Sequence, residues 1–520
     1  MTKSDNRHAD AHREVETKLD ADPNLVLPEL AGLPGVARVE DGSVEELEAV
    51  YYDASDLRLI RAGLTLRRRT GGSDAGWHLK LPEKGARVEV HRPLGRGRTV
   101  PAPLLALAKS RLRGTPIAPV AKITTHRRQS RLLGADDHVL AVVADDEVTA
   151  ETMGEEVTVS TWRELEVELA EGDETLLDAA VAALRDAGAR PAATGSKLAR
   201  ALNGRLQGLP GSARTGKAAE RRKTRREGSA GDVAMAHLQA QFEALAAQDP
   251  RVRLDQEDAV HQMRVATRRL RSALVTFRSL LDREVTEPLR GELKWLADLL
   301  GAARDAEVMH ARLLSEVDDQ PGDLVVGPVR EQVDAELSAS YRTAHAAVVR
   351  ALNGPRYAQL LQALDGLVTT PPLSRRAARP ARPELRKRIR REHQRVERLA
   401  AEARSVQDHR EDHDTRLHEV RKSAKRARYA GESVKPVFGK DAKRFATAME
   451  SIQEALGDHQ DTVVLRQLLR DLAAKAHASG DDGFTYGRLH ALAEARAEQD
   501  EADFEAAWLA LEATASRWPA

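Results

Sequence analysis

Glu164-Leu165-Glu166-Val167-Glu168-Leu169 decides how the first half of this chain is read. In a β-strand successive side chains alternate between faces. Three carboxylates therefore share one face, and Leu165, Val167 and Leu169 share the other. Three acids in a row repel one another unless a cation or basic groups offset them. The offsetting charges lie in other alternating stretches. Leu64–Arg69 puts Arg67 and Arg69 on one face and sends Arg68 the opposite way. Trp77–Leu81 sets Lys80 beside His78, and Arg87-Val88-Glu89-Val90-His91 alternates again. Lys122 and Arg127-Arg128 sit in a further candidate strand, Leu140–Asp146 ends in acids, and Glu14-Val15-Glu16-Thr17-Lys18 aligns Glu14, Glu16 and Lys18. A closed antiparallel barrel with the charged faces turned inward reconciles these strands and removes the sheet edges. Its acids would hold a divalent metal and its Arg and Lys residues phosphate oxygens. The ligand such a site suits is linear, highly anionic and metal-bound.

Beyond this half the texture changes. Gly, Pro and Ser concentrate from residue 204 to 230, with the basic run Arg221–Arg226, and read as a solvated linker. From Gly231 apolar residues recur at three and four, the signature of helices. Two pieces, about 231–370 and 384–515, repeat each other around a Pro/Arg-rich break. His261-Gln262-Met263-Arg264 aligns with His418-Glu419-Val420-Arg421, and Leu300-Gly301 with Leu456-Gly457 at nearly the same distance downstream. Two motifs in one order and spacing indicate a duplicated helical bundle. The Leu-Gly motifs read as turns. His261, Arg264, Arg268 and Arg271 fall on one helical stripe, and His418, Arg421, Lys425 and Arg428 on its counterpart, with Lys422 beside it. Cationic neighbours disfavour a zinc site at these histidines, so anion binding is expected.

Composition narrows the possibilities. The 520 residues carry 81 Lys+Arg and 81 Asp+Glu, so the chain is not a globally basic nucleic-acid binder. Aromatics at 3% are too few for base-stacking platforms. The absence of cysteine removes thiolate metal sites and thiol nucleophiles. No apolar run approaches a membrane span, and the N-terminus lacks a signal-peptide core. A cytoplasmic protein is expected, without membrane or specific nucleic-acid partners.

The ordered set Glu14-x-Glu16-x-Lys18, Tyr51-Tyr52-Asp53, Leu66–Arg69, Lys80, Arg87-x-Glu89, Lys122 with Arg127, Asp145-Asp146, Glu164-x-Glu166-x-Glu168 and Ser196-Lys197 resembles the CYTH superfamily of triphosphate tunnel metalloenzymes, over residues 10–203. The resemblance implies an eight-stranded antiparallel tunnel that hydrolyses triphosphates with Mg²⁺ or Mn²⁺. It implies phosphate binding by Lys18, Arg67, Arg69, Lys80, Arg87, Arg127 and Lys197. It implies metal binding by Glu14, Glu16, Glu164 and Glu166, with Asp145 or Asp146 completing the network. Glu14, Glu16 and Lys18 are the catalytic candidates. Residues 231–515 resemble the CHAD domain on the two His-x-x-Arg helices and the two Leu-Gly-x-x-x-Asp motifs. That resemblance implies paired four-helix bundles about a pseudo-twofold axis, with a basic pore for inorganic polyphosphate. The fold expected is thus α+β and multidomain. The activity expected is metal-dependent hydrolysis of inorganic triphosphate or short polyphosphate. The alternatives are a non-catalytic, granule-associated polyphosphate scaffold, cyclisation of ATP, and hydrolysis of thiamine triphosphate.

Overall fold

The alternating segments form one antiparallel sheet of ten strands: β1 (Ala11–Glu14), β2 (Glu16–Ala21), β3 (Arg38–Asp53), β4 (Thr65–Thr70), β5 (Gly76–Glu83), β6 (Ala86–Pro93), β7 (Ala118–Leu133), β8 (Val139–Thr152), β9 (Val159–Leu169) and β10 (Arg190–Pro191). The computed structural model describes residues 11–83, 86–154, 157–208, 228–405 and 410–514. The sheet order is β1-β6-β5-β4-β3-β7-β8-β9-β2-β10. Among the described residues, ten strands replace the eight expected, and ladder hydrogen bonds do not close the sheet. Its ends are nevertheless tied by the chain. β1 pairs with β6 and β2 with β9, and Val15 alone separates β1 from β2. The sheet must curl to allow this.

The curl turns the usual arrangement of a sheet inside out. Leu165 and Val167 are fully buried on the outer side, against Leu176, Ala180 and Leu184 of helix α3 (Glu174–Asp186). Each such side chain contributes about 1.5–3 kcal/mol. Asp173 starts α3 by accepting the Leu176 N–H at 3.0 Å. The charged face consequently points inward. Short helices α1 (Arg58–Arg61) and α2 (Ala102–Leu112) join strands, and α4 (Lys197–Ala201) and α5 (Asn203–Gly208) end the unit. The Ser196 hydroxyl caps α4 by accepting the Ala199 N–H at 3.1 Å, which fixes Lys197 as its first residue.

The chain divides into two units, Met1–Lys223 and Thr224–Ala520. The second is helical: α6 (Ala230–Arg253), α7 (Ala259–Thr276), α8 (Arg283–Asp318), α9 (Val329–Asn353), α10 (Pro355–Thr369), α11 (Ala381–Arg404), α12 (Arg410–Phe438), α13 (Lys440–Ala478) and α14 (Phe484–Thr514). One apolar core runs through both repeats, joining Phe242, Leu270 and Phe277 to Ile389, Val420 and Met449. A second cluster packs Leu313 and Val333 with Leu469 and Tyr486. The Leu-Gly motifs are not turns. Leu300-Gly301 lies inside α8 and Leu456-Gly457 inside α13. The basic run Arg221–Arg226 lies outside the described residues. Among the described residues, no helix is long and apolar enough to cross a membrane.

Candidate functional site

Inside the curled sheet lies a cavity of about 330 Å³. Lys18, Arg67, Arg69, Lys80, Arg87, Arg127 and Lys197 all line it, so the structure brings together the seven cations singled out in the sequence. Strand register explains how the carboxylates come to face them. Glu16 stands opposite Glu168, and Lys18 opposite Glu166, across β2 and β9. Asp146 stands opposite Glu164 across β8 and β9, and opposite Arg127 across β7 and β8. Acids placed directly across a ladder destabilise it unless cations intervene, and here they do.

Lys197 carries most of that compensation. Its Nζ lies 2.8 Å from Asp146, 2.7 Å from Glu164 and 2.7 Å from Glu166. Burial alone would lower its pKa, but Glu166, Asp146 and Glu164 hold it well above the ordinary lysine value. Arg127 donates to both Asp146 oxygens at 2.7 and 2.6 Å and to Glu166 at 2.6 Å. Lys18 donates to Glu166, and to Glu16 at 2.8 Å. Burial would raise the Glu166 carboxyl, yet Lys197, Lys18 and Arg127 hold it well below the usual range.

Asp146, Glu164 and Glu166 are buried and offer oxygens that lie within 4.8 Å of one another. Three hard oxygen donors suit Mg²⁺ or Mn²⁺ rather than a soft metal. Glu164 Oε1 has ion-pair contact with Lys197 but makes no hydrogen bond, so it has capacity for a cation. The ammonium of Lys197 stands among the oxygens that a metal would use.

The structure separates the two adjacent aspartates. Asp146 faces the cavity group. Asp145 faces the other way, into a two-pronged pair with Arg163 at 2.8 and 2.8 Å. Arg163 also donates to the carbonyls of Pro23 and Leu25, so Asp145 anchors the segment after β2 and does not join the metal group. Glu16 lies in the cavity, but its partners are Lys18 and Arg87, the latter at 3.7 Å, and it does not join the carboxylate group either. Glu14 pairs with Arg87 through the β1 backbone, and its side chain lies outside the described residues. Lys122 pairs with Glu48 at 2.7 Å, away from the cavity lining.

The sequence reading omitted four residues from the site. Glu89 is a hub for Arg67 at 3.5 Å, Lys80 at 3.6 Å and His78 at 2.7 Å. Burial, chiefly, pushes the His78 imidazole down to about 4. Tyr51 reaches Arg67 at 3.5 Å. Glu168 lines the cavity, with its carboxyl pushed up by burial and by Glu16 and Glu166. Asp74, on the β4–β5 loop, pairs with Arg69. Period-two alternation had already placed Glu89 and Glu168 on charged faces; Asp74 carried no sequence signal, because it lies in a loop.

In the helical unit, α7 and α12 bring the two basic stripes together. Burial, followed by the charges of Arg268, Arg421, Arg264 and Arg428, pushes the Lys425 ammonium down to about 6. Arg268 is likewise lowered by burial and by Arg264, Arg421 and Arg271. Among the described side chains, which do not include those of residues 458–461, no carboxylate pairs with Arg268, Arg421 or Lys425. The duplicated glycines now have a role. A Cβ on Gly301 would stand 3.6 Å from the Arg264 guanidinium, and one on Gly457 3.4 Å from that of Arg421. Each arginine therefore lies across a bare stretch of helix. Arg264 pairs with Asp305 at 3.1 Å, and Arg428 with Glu450 at 2.8 Å. Lys422 is exposed and pairs with Glu419 at 2.8 Å, outside the cluster. Burial and Arg304 lower the His261 imidazole, so His261 stands at the edge of the same positive field.

The CYTH domain family matches residues 12–202 and the CHAD domain family residues 236–470. The uncharacterized protein Rv2226 of Mycobacterium tuberculosis is 38% identical over 514 residues, spanning 95% of this chain and 96% of that protein. The chain is a CYTH–CHAD fusion protein. The CHAD domain from the plant Ricinus communis is 25% identical and covers 55% of this chain and 93% of its own, with a TM-score of 0.43. HpAC1 from Hippeastrum, a putative adenylyl cyclase with a dominant triphosphatase activity, is 17% identical over 37% of this chain and 96% of its own, with a TM-score of 0.22. The cavity with its acidic group thus belongs to the CYTH domain, and the basic cluster to the CHAD domain.

Proposed function

We propose that the CYTH domain hydrolyses inorganic triphosphate or short polyphosphate with Mg²⁺ or Mn²⁺, and that the CHAD domain binds polyphosphate. The observation that carries the reading is the meeting of three buried carboxylates with seven cations inside one curled sheet. A divalent ion held by Asp146, Glu164 and Glu166 would supply Lewis-acid charge at the phosphate oxygens. Arg67, Lys80 and Arg87 sit on long ion pairs of 3.5 to 3.7 Å, which phosphate oxygens can replace with shorter, charge-assisted bonds. Lys18 and Arg127 hold Glu166 ionised and fixed. Phosphoryl transfer needs positioning and charge stabilisation more than covalent help, and the chain has no cysteine to supply a thiolate.

For the CHAD domain, the support is the convergence of Arg264, Arg268, Arg421 and Lys425 from both repeats. A flexible polyanion spanning both stripes gains from linkage. Its affinity should fall with salt as counterion release is suppressed, by analogy with nucleic acids. The test is phosphate release from tripolyphosphate, ATP, thiamine triphosphate and long polyphosphate, with each metal and with chelator. Metal-dependent release from tripolyphosphate is expected to exceed release from the others. Equal release with chelator, or preference for ATP, contradicts the reading.

A further inference from the structure

The arginines at the two ends of the CYTH cavity are held differently: Arg87 by a long pair with Glu16, and Arg69 by a direct pair with Asp74. Arg87 pairs in register with Pro82, and Arg69 with Gly76. Six residues of β5 separate these levels, about 20 Å at ~3.3 Å per residue. At the Arg87 end the lining includes Arg87, Ser196, Glu16 and Glu168; Arg87 donates to the Gly195 carbonyl at 2.9 Å and lies a loose 3.7 Å from Glu16. At the Arg69 end the lining includes Glu45, Ser73 and Asp74. Asp74 pairs with Arg69 while its side chain stays 45% exposed, so it stands at the rim and covers a buried guanidinium. Glu45 stands beside it. A Cβ on Gly72 would lie 3.2 Å from Glu45 Oε2 and 3.6 Å from Asp74 Oδ1, so one point at the rim has both carboxylates around it.

This rim is fixed. Gly71 has φ +81°, and a Cβ there would stand 2.1 Å from the Glu46 carbonyl oxygen, so only glycine lets the loop lie on β3. The Asp74 carbonyl accepts from His78 Nε2 at 2.9 Å, and His78 Nδ1 meets Glu89 at 2.7 Å. The loop is thereby tied to the cavity floor with Asp74 aimed at Arg69.

We propose that Asp74 and Glu45 form an anionic stop at the Arg69 end, so that the cavity favours phosphate chains short enough to end inside it over long chains that thread through. The inference rests on the triphosphatase reading and adds its chain-length selectivity. A phosphate chain entering past Arg87 can replace Glu16 on that loosely paired guanidinium and then meets the other cations along the cavity. Leaving at the far rim, it must displace Asp74 from Arg69 and pass Glu45, with like charge opposing it at each point.

The test compares kcat/KM for tripolyphosphate and for long-chain polyphosphate in the full-length protein and in its Asp74→Asn, Asp74→Glu, Glu45→Gln and Asp74→Asn/Glu45→Gln variants. The basic CHAD cluster is the same in all of them, so its effect cancels when the long-to-short ratio is compared between variants. The double variant is expected to raise that ratio about tenfold, a change of ~1.4 kcal/mol. Asp74→Glu should keep it low. If Asp74→Asn does not fold, Glu45→Gln, whose carboxylate does not hold Arg69, should still raise the ratio. An unchanged ratio in Glu45→Gln and in the folded Asp74 variants, with tripolyphosphate still hydrolysed, overturns the stop alone. No turnover of any chain by the unaltered protein overturns the triphosphatase reading and the stop with it.

Discussion

Replacing Lys197 by Met keeps the aliphatic stem and deletes the charge on which Asp146, Glu164 and Glu166 converge. Their oxygens lie within 4.8 Å of one another. At that distance two carboxylates repel by about 3 kcal/mol at an effective dielectric of ~20. Arg127 and Lys18 offset part of this, so the relevant scale is the loss of one partner from a buried ion pair, about 3–5 kcal/mol. For a unit of this size that corresponds to roughly 6–20 °C in Tm. In chelator, calorimetry of full-length Lys197→Met should show the CYTH transition lowered by that amount. Added Mn²⁺ takes the same oxygens without first displacing an ammonium. At ~100 times its Kd it returns about 2.7 kcal/mol, and the metal-induced shift should be larger in the variant than in the unaltered protein. A variant as stable as the parent in chelator, or a metal shift no larger than the parent's, refutes the shared-site argument.

Lys425→Met should flatten the pH dependence of the CHAD domain. With a folded pKa of about 6 against 10.5 unfolded, the unfolded chain binds more protons between those values. Stability therefore rises with pH across that window, and urea midpoints at pH 7 and 9 should differ in the parent and converge in the variant. Glu166, held well below 4.5, stabilises the sheet above its unfolded pKa and loses that contribution as pH falls through the folded value. Acid unfolding followed by circular dichroism should thus be less steep below about pH 4 in Glu166→Gln. Gly457→Ala should be tolerated, with up to ~1 kcal/mol gained from helix propensity. Gly457→Leu should displace the Arg421 guanidinium and weaken polyphosphate binding, measured by titration calorimetry.

Much of the CYTH site is legible because β-alternation is local: Glu166, Arg67, Arg69, Lys80 and Arg127 reach the cavity as a period of two requires, and Glu164 shares the face of Glu166. Asp145 against Asp146 depends on register, and one residue of slip exchanges faces. Only the pairing of Asp146 with Glu164, and the Arg163 clamp on Asp145, separates them. The Asp74 contact joins a loop to a strand and has no periodic signature. In the helical half the duplicated stripes are visible as spacing. The glycines are visible too, but their place inside α8 and α13 is not. Gly suggests a turn by propensity, and here close approach of an arginine outweighs that propensity. Lys422 neighbours the stripe in sequence, yet its angle on α12 turns it outward to Glu419.

If the CYTH domain is a metal-dependent hydrolase, Asp146, Glu164 and Glu166 are the residues that would hold its metal. The most direct measurement is a Mn²⁺ titration of tripolyphosphate hydrolysis by the full-length protein and by its Glu166→Gln variant, with folding checked by circular dichroism. Saturable, metal-dependent phosphate release is expected from the parent, and about a 100-fold loss in Glu166→Gln, on the scale of removing one electrostatic group from such a site. Release that is independent of metal, or a folded Glu166→Gln variant with the parent's metal response and rate, would contradict that assignment.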